Sequence, residues 1–205
     1  MDNQCGGTVG AILEAGKREF LRCGYEKASM RQIAGKAGVT TGAIYGYFPG
    51  KEALFEALTG ETAEGLLHYY QEVHTRFGKL PAKEQTEQLM TVTDDNIPDM
   101  IDYIYDHFDT FKLLFCCGEA KNLENYLSRL TEVGEKSTRN FLEGMKSLGH
   151  TVPDMDDEMI HIFSRAFFQQ IRELVDHDVP RERAKTYMLL IGRFQHAGWS
   201  GILGL

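Results

Sequence analysis

Apolar residues along this 205-residue chain recur at helical spacing almost from end to end, and no stretch alternates apolar with polar residues for long. A half-buried strand needs a period of two and a half-buried helix a period of 3.6, so this pattern leads to an all-α fold. The first helix repeats at Val9, Ile12, Leu13, Gly16, Phe20 and Leu21 and stops at Cys23-Gly24, where glycine suits a C-cap. Ser29 can cap a short second helix that buries Ile33, Ala34 and Ala37 and closes at Gly38. Thr40 can cap a third, over residues 41–48, and Pro49-Gly50 ends it. Longer helices are predicted over residues 51–77, 83–107, 122–148, 156–176 and 180–199, with a short one over 109–116. Pro98 cannot donate to the carbonyl of Asp94, which predicts a kink there. The count is about nine helices.

Composition narrows the class. Apolar residues are 42 % of the chain and charged residues 25 %, the profile of a soluble folded protein. No apolar run reaches the roughly 18 residues that span a bilayer, and "MDNQCGGTVG" lacks the zones of a secretory signal. A cytoplasmic location with no membrane partner is expected. The cysteines, Cys5, Cys23, Cys116 and Cys117, form no CxxC motif and no zinc spacing with histidine, so buried free thiols and no metal or cofactor are expected. No Ser/His/Asp constellation, phosphate-cradling glycine loop or HExxH stands out, and His161 and His177 lie sixteen residues apart. An enzyme is not expected.

The net charge of −8 is unevenly placed. Residues 1–51 hold seven basic and four acidic residues, +3, while the remainder holds 15 basic and 26 acidic, −11. An N-terminal module that tolerates a polyanion is thus joined to a body that repels one.

The two short helices explain that division. Joined by a tight turn around Val39 and preceded by a packing helix, they read as a helix-turn-helix. A helix that enters a major groove must be slim where it meets base edges, and Thr41, Gly42 and Ala43 are small. Ile44 and Phe48, four apart, anchor it to a core, which leaves Tyr45 and Tyr47 outward, with hydroxyls that can reach phosphates. Lys51 adds a charge toward the nucleic-acid backbone, and Thr40 caps a helix whose first amides are phosphate donors. A buried αα-turn in which both tyrosines pack is the competing reading.

"MRQIAGKAGVTTGAIYGYFPGKEALFEAL" resembles the DNA-binding signature of the tetracycline-repressor (TetR) family. Ile33-Ala34, Ala37-Gly38-Val39, Tyr45, Tyr47-Phe48, Lys51 and Leu54 stand at family-like spacing, within a similar segment from Thr8 to Leu58. The resemblance implies a one-component transcriptional regulator, usually a repressor: a three-helix head on operator DNA and a helical body that dimerises and encloses a small-molecule pocket. Carried over by position, Arg31, Thr41, Gly42 and Ala43 would face bases, and Thr40, Tyr45, Tyr47 and Lys51 would hold phosphates. The expected domains are residues 1–51 for the head and 52–205 for the ligand-binding and dimerisation body.

In the body, Met100, Tyr103, Ile104, His107, Phe108 and Phe111 form one helical stripe. Such a stripe is ordinarily core, but Tyr103 and His107 add polar tips, which is how a pocket fixes orientation. Met100, Tyr103, Ile104, His107 and Phe111, with Phe167 and Gln170, are the candidate ligand-binding residues. Ile160, Phe163, Tyr187, Ile191, Phe194 and Gln195 on the last two helices are the candidates for a four-helix dimer interface, the arrangement the family resemblance implies. Aromatic and methionine content points to an apolar or aromatic effector. A helical ligand-binding or scaffold protein whose head ignores DNA stays open as the alternative.

Overall fold

The computed structural model describes residues 2–204, with side chains from Gly7 onward. Nine α-helices are present among them: α1 (Asp2–Lys27), α2 (Met30–Lys36), α3 (Thr41–Tyr47), α4 (Lys51–Gly78), α5 (Ala82–Asp106), α6 (Phe108–Lys112), α7 (Ala120–Ser147), α8 (Asp157–Asp176) and α9 (Arg181–Leu203). A π-helical turn, Leu113–Cys117, follows α6 where an α-turn is expected. The chain forms two compact units. One comprises residues 1–64 and 107–124, the other 65–106 and 125–205. The expected division at residues 51/52 therefore moves to Glu64/Gly65, inside α4, and the first unit recruits a later segment. Sequence order alone does not show that Leu113, 0 % exposed, completes the core of the N-terminal helices.

That core takes Ile12 and Phe20 from α1, Ile33 and Ala34 from α2, Ile44 from α3, and Leu54 and Phe55 from α4. Phe20, Tyr25 and Phe55 meet as a ring cluster, with Phe20–Phe55 edge to face at 5.2 Å. Gly16 lets α1 approach α4, since a Cβ there would lie 3.0 Å from Leu54 Cδ2. The expected stop at Cys23-Gly24 is present as a break inside α1, where Gly24 takes φ 75°.

In the second unit, Phe77, Phe141, Leu142, Met145, Ile160 and Leu203 form a further core. Helix α9 closes on α5 at Gly192, where a Cβ would sit 3.0 Å from Thr93 and 3.1 Å from Ile97. Ion pairs from Arg181 to Asp106 and from Lys185 to Asp102 (2.7 Å) bind the same two helices. Helix α5 runs without interruption through Pro98. Cys23, Cys116 and Cys117 are half-buried rather than buried, and the side chain of Cys5 lies outside the described residues. No helix of the described residues is long and apolar enough to cross a membrane.

Candidate functional site

The turn between α2 and α3 is built from the backbone. Val39 N–H donates to Ala34 O (3.0 Å) and Gly38 N–H to Gly35 O (3.3 Å), while Gly38 takes φ 71°. This is a Schellman closure, and glycine supplies its left-handed residue without a Cβ penalty. One residue later Thr40 accepts a hydrogen bond from Ala43 N–H at 3.1 Å and caps α3. The chain thus reverses within three residues, with both helix ends satisfied.

Ile44 is fully buried and Phe48 nearly so, four residues apart on the inner face of α3. Tyr45 and Tyr47 are 47 % and 41 % exposed, which excludes the packed-turn reading. Arg31, Thr40, Thr41, Gly42 and Ala43 are exposed as well, so seven of the eight candidate residues lie open to solvent. Lys51 is half-buried, its Nζ 3.1 Å from the carbonyl of Glu26 and 4.4 Å from the Tyr25 ring centroid. It is a charge held in place rather than a free arm. Arg31 makes no ion pair among the described residues, leaving its guanidinium unspent.

Beneath this surface lies a residue that sequence reading missed. Glu19 on α1 is 0 % exposed and bridges to Arg22 of α1 (2.7 Å) and Lys36 of α2 (2.6 Å). Hydrogen bonds from Arg22, then Lys36, hold its carboxyl near pKa 2. The pair fixes α2 on α1, and nothing in a helical apolar stripe announces a buried acid.

The second unit holds a cavity of about 590 Å³. Met100, Phe167 and Gln170, three of the ligand candidates, line it. Four other ligand candidates do not. Ile104 and Phe111 are fully buried in packing, and Phe111 belongs to the first unit, its ring 5.6 Å from that of Phe115. His107 is exposed at the start of α6, and Tyr103 sets its hydroxyl over Gly65, where a Cβ would collide with it. In their place α4 supplies Tyr70 and His74, whose rings meet at 4.3 Å. Burial pushes the His74 ring down to about 4 and the Tyr70 phenol upward, so both stay neutral near pH 7. A signal was available: Tyr70 and His74, like Tyr103 and His107, put polar tips at i and i+4 on an apolar face.

The interface candidates divide too. Ile160 is 3 % exposed inside the chain's own core, so it is unavailable to a partner. Phe163, Phe194 and Gln195 line the cavity, and Phe163 and Phe194 remain 39 % and 78 % exposed. Tyr187 is 37 % exposed and Ile191 half-buried. Leu190 and Ile162, at 56 % and 58 %, extend the exposed apolar surface of α8 and α9.

With this geometry in view, comparison with known proteins is direct. Residues 12–58 match the family described as bacterial regulatory proteins, tetR family. YuxN of Bacillus subtilis, an uncharacterized HTH-type transcriptional regulator, is 33 % identical over 99 residues, 45 % of this chain and 31 % of its own. An HTH-type transcriptional repressor of Mycobacterium tuberculosis is 42 % identical over 53 residues, 26 % of this chain and 28 % of its own. The matched stretch thus spans less than a third of either relative. Among solved structures, NalD, the secondary repressor of the MexAB-OprM multidrug efflux pump in Pseudomonas aeruginosa, superimposes with a TM-score of 0.58 at 20 % identity, covering 93 % of this chain and 96 % of that one. SmeT, the repressor of the Stenotrophomonas maltophilia multidrug efflux pump SmeDEF, gives 0.59 at 15 % identity, covering 90 % and 87 %. At those identities the likeness is one of fold. Head geometry and the match over residues 12–58 agree: the N-terminal helices of this chain are those of the tetR family of bacterial regulatory proteins.

Proposed function

We propose that this protein is a ligand-responsive transcriptional regulator that binds operator DNA as a homodimer and represses until a small molecule releases it. One observation carries the reading. A Thr-capped helix of small residues stands off the head core with Tyr45 and Tyr47 outward and an unpaired Arg31 beside it. In that reading α3 enters the major groove, Arg31 and Thr41 read base edges, and Gly42 and Ala43 let the backbone come close. Tyr45, Tyr47, Lys51 and the α3 amides capped by Thr40 hold phosphates. With only two side chains long enough for direct readout, DNA shape and bridging water supply much of the specificity.

Two heads must reach successive major grooves roughly 34–36 Å apart, so a second copy is required. The exposed apolar residues of α8 and α9, Phe194 above all, support those helices as the meeting surface. Helix α4 contributes Leu54 and Phe55 to the head core and Tyr70 and His74 to the cavity. A ligand that favours one disposition of the heads over another then shifts the DNA-binding population. A gel shift of the purified protein on the promoter beside its own gene tests the reading. A sequence-specific, salt-sensitive band is expected, and its absence for a folded dimer overturns the proposal.

A further inference from the structure

The body cavity carries its own chemical instructions. Among its lining residues there is no Asp, Glu, Lys or Arg. Asp94, whose Oδ1 is buried without a partner, does not line it. Aromatic rings dominate the wall: Phe167 stacks with Tyr70 at 6.4 Å, and Phe163 tilts against Trp199 at 5.3 Å. Several polar lining groups are already engaged. Tyr69 donates to Asn96 O at 3.0 Å, Asn96 Nδ2 to Val92 O at 2.7 Å, Thr93 to Leu89 O at 2.9 Å, and Gln195 to Gln170 at 3.4 Å.

Other polar lining groups, Ser137, Thr138 and Trp199 among them, are not. Among the described residues the Tyr70 hydroxyl, the His74 ring and the Ser164 hydroxyl have no hydrogen-bond partner, and all three face this cavity. They share one region. At Gly134 a Cβ would stand 3.2 Å from Tyr70 Oη and 3.5 Å from Ser164 Oγ, and His74 lies against the Tyr70 ring. Polar groups that face an apolar cavity without a protein partner are free to pair with a guest that supplies one.

We infer that the cavity takes an uncharged, mainly aromatic molecule bearing one neutral hydrogen-bonding group, which Tyr70, His74 and Ser164 receive at the Gly134 end. A charged guest would lose its hydration and meet no countercharge, whereas rings gain buried area and stacking. The volume of about 590 Å³ lies in the range of drug-sized sites, roughly 300–1,000 Å³. The inference rests on this cavity being the effector site of the proposed regulator.

Two fluorescent probes with one skeleton separate charge from shape: N-phenyl-1-naphthylamine, which is neutral, and 1-anilinonaphthalene-8-sulfonate, its anionic counterpart. The neutral probe is expected to bind saturably, one per chain, and at least about tenfold more tightly than the sulfonate, as desolvating an unpaired charge demands. Tyr70→Phe combined with His74→Phe is expected to weaken the neutral probe about fivefold, the loss of roughly one hydrogen bond. Ser164→Phe is expected to abolish its binding by filling the polar end. Should that variant not fold, Gly198→Phe serves, because Gly198 lines the cavity and a Cβ there meets nothing within 4 Å. Equal or tighter binding of the sulfonate, no binding of the neutral probe, or indifference to these variants overturns the inference. Neutral-probe binding that leaves the operator complex intact supports the ligand class while overturning the release mechanism.

Discussion

Gly38 and Thr40 show how much the head rests on single residues. At φ 71° an alanine is forced into left-handed backbone, so Gly38→Ala is expected to cost about 1–2 kcal/mol. Thr40→Ala removes the acceptor for Ala43 N–H and is expected to cost about 1 kcal/mol. Thermal melts of the two variants check both figures. Glu19→Gln leaves Lys36 and Arg22 without their buried counter-charge, and about 1–3 kcal/mol of destabilisation is expected. Acid acts on two groups in the same direction. The folded His74 ring titrates near 4 against 6.5 when free, so stability is lost as pH falls from 6.5 toward 4, because only the unfolded chain takes the proton. Glu19 holds its charge down to about 2 against a free value of 4.5, so its contribution is present above 4.5 and is lost below it. Between pH 7 and pH 5, His74→Phe is expected to lose about 2 kcal/mol less stability than the parent chain, which chemical denaturation at the two pH values measures.

At the scale of elements, α2, α3 and the start of α4 offer two kinds of residue to DNA in the proposed reading, and their substitution is expected to act differently. Tyr47→Phe with Lys51→Ala removes two of the proposed phosphate donors, so operator affinity should fall alike across sequences and the log-log salt slope should shrink by about 1. Arg31→Ala, by contrast, should relax specificity at one base position, with about 1–3 kcal/mol of discrimination lost. Competition gel shifts over a set of base-substituted operators distinguish the two patterns. Helix α9 depends on Gly192 for its approach to α5, and Gly192→Val drives methyl groups into Thr93 and Ile97. Overpacking of that kind costs about 1–3 kcal/mol and should be visible in the melt of the body.

For the molecule as a whole, the exposed phenylalanine at 194 is the informative position. A residue that is 78 % exposed gives the isolated chain little, so Phe194→Asp should leave the fold intact. If α8 and α9 join two copies, the same change buries a charge at the contact and should shift the chain to monomer in light scattering and abolish the operator band. A dimer unaffected by it would move the contact elsewhere. Residues 1–51 carry +3 and the remainder −11, a division that suits a polyanion met by the N-terminal helices in the proposed reading.

Local physics was legible from residue order. Periodicity, a capping threonine and a glycine that must go left-handed act over a few neighbours, so helix types, the head turn and the outward tyrosines could all be read before any packing was known. Burial partners could not. An apolar stripe states that a face is covered, not whether by a neighbouring helix, a ligand or a second chain, and Ile104, Ile160 and Met100 have similar stripes but different surroundings. Only the tertiary arrangement put Tyr70 and His74 on the cavity in place of Tyr103 and His107, and sank Glu19 beneath the head. Those outcomes depend on contacts between residues tens of positions apart, and one-dimensional spacing carries no information about which distant faces meet.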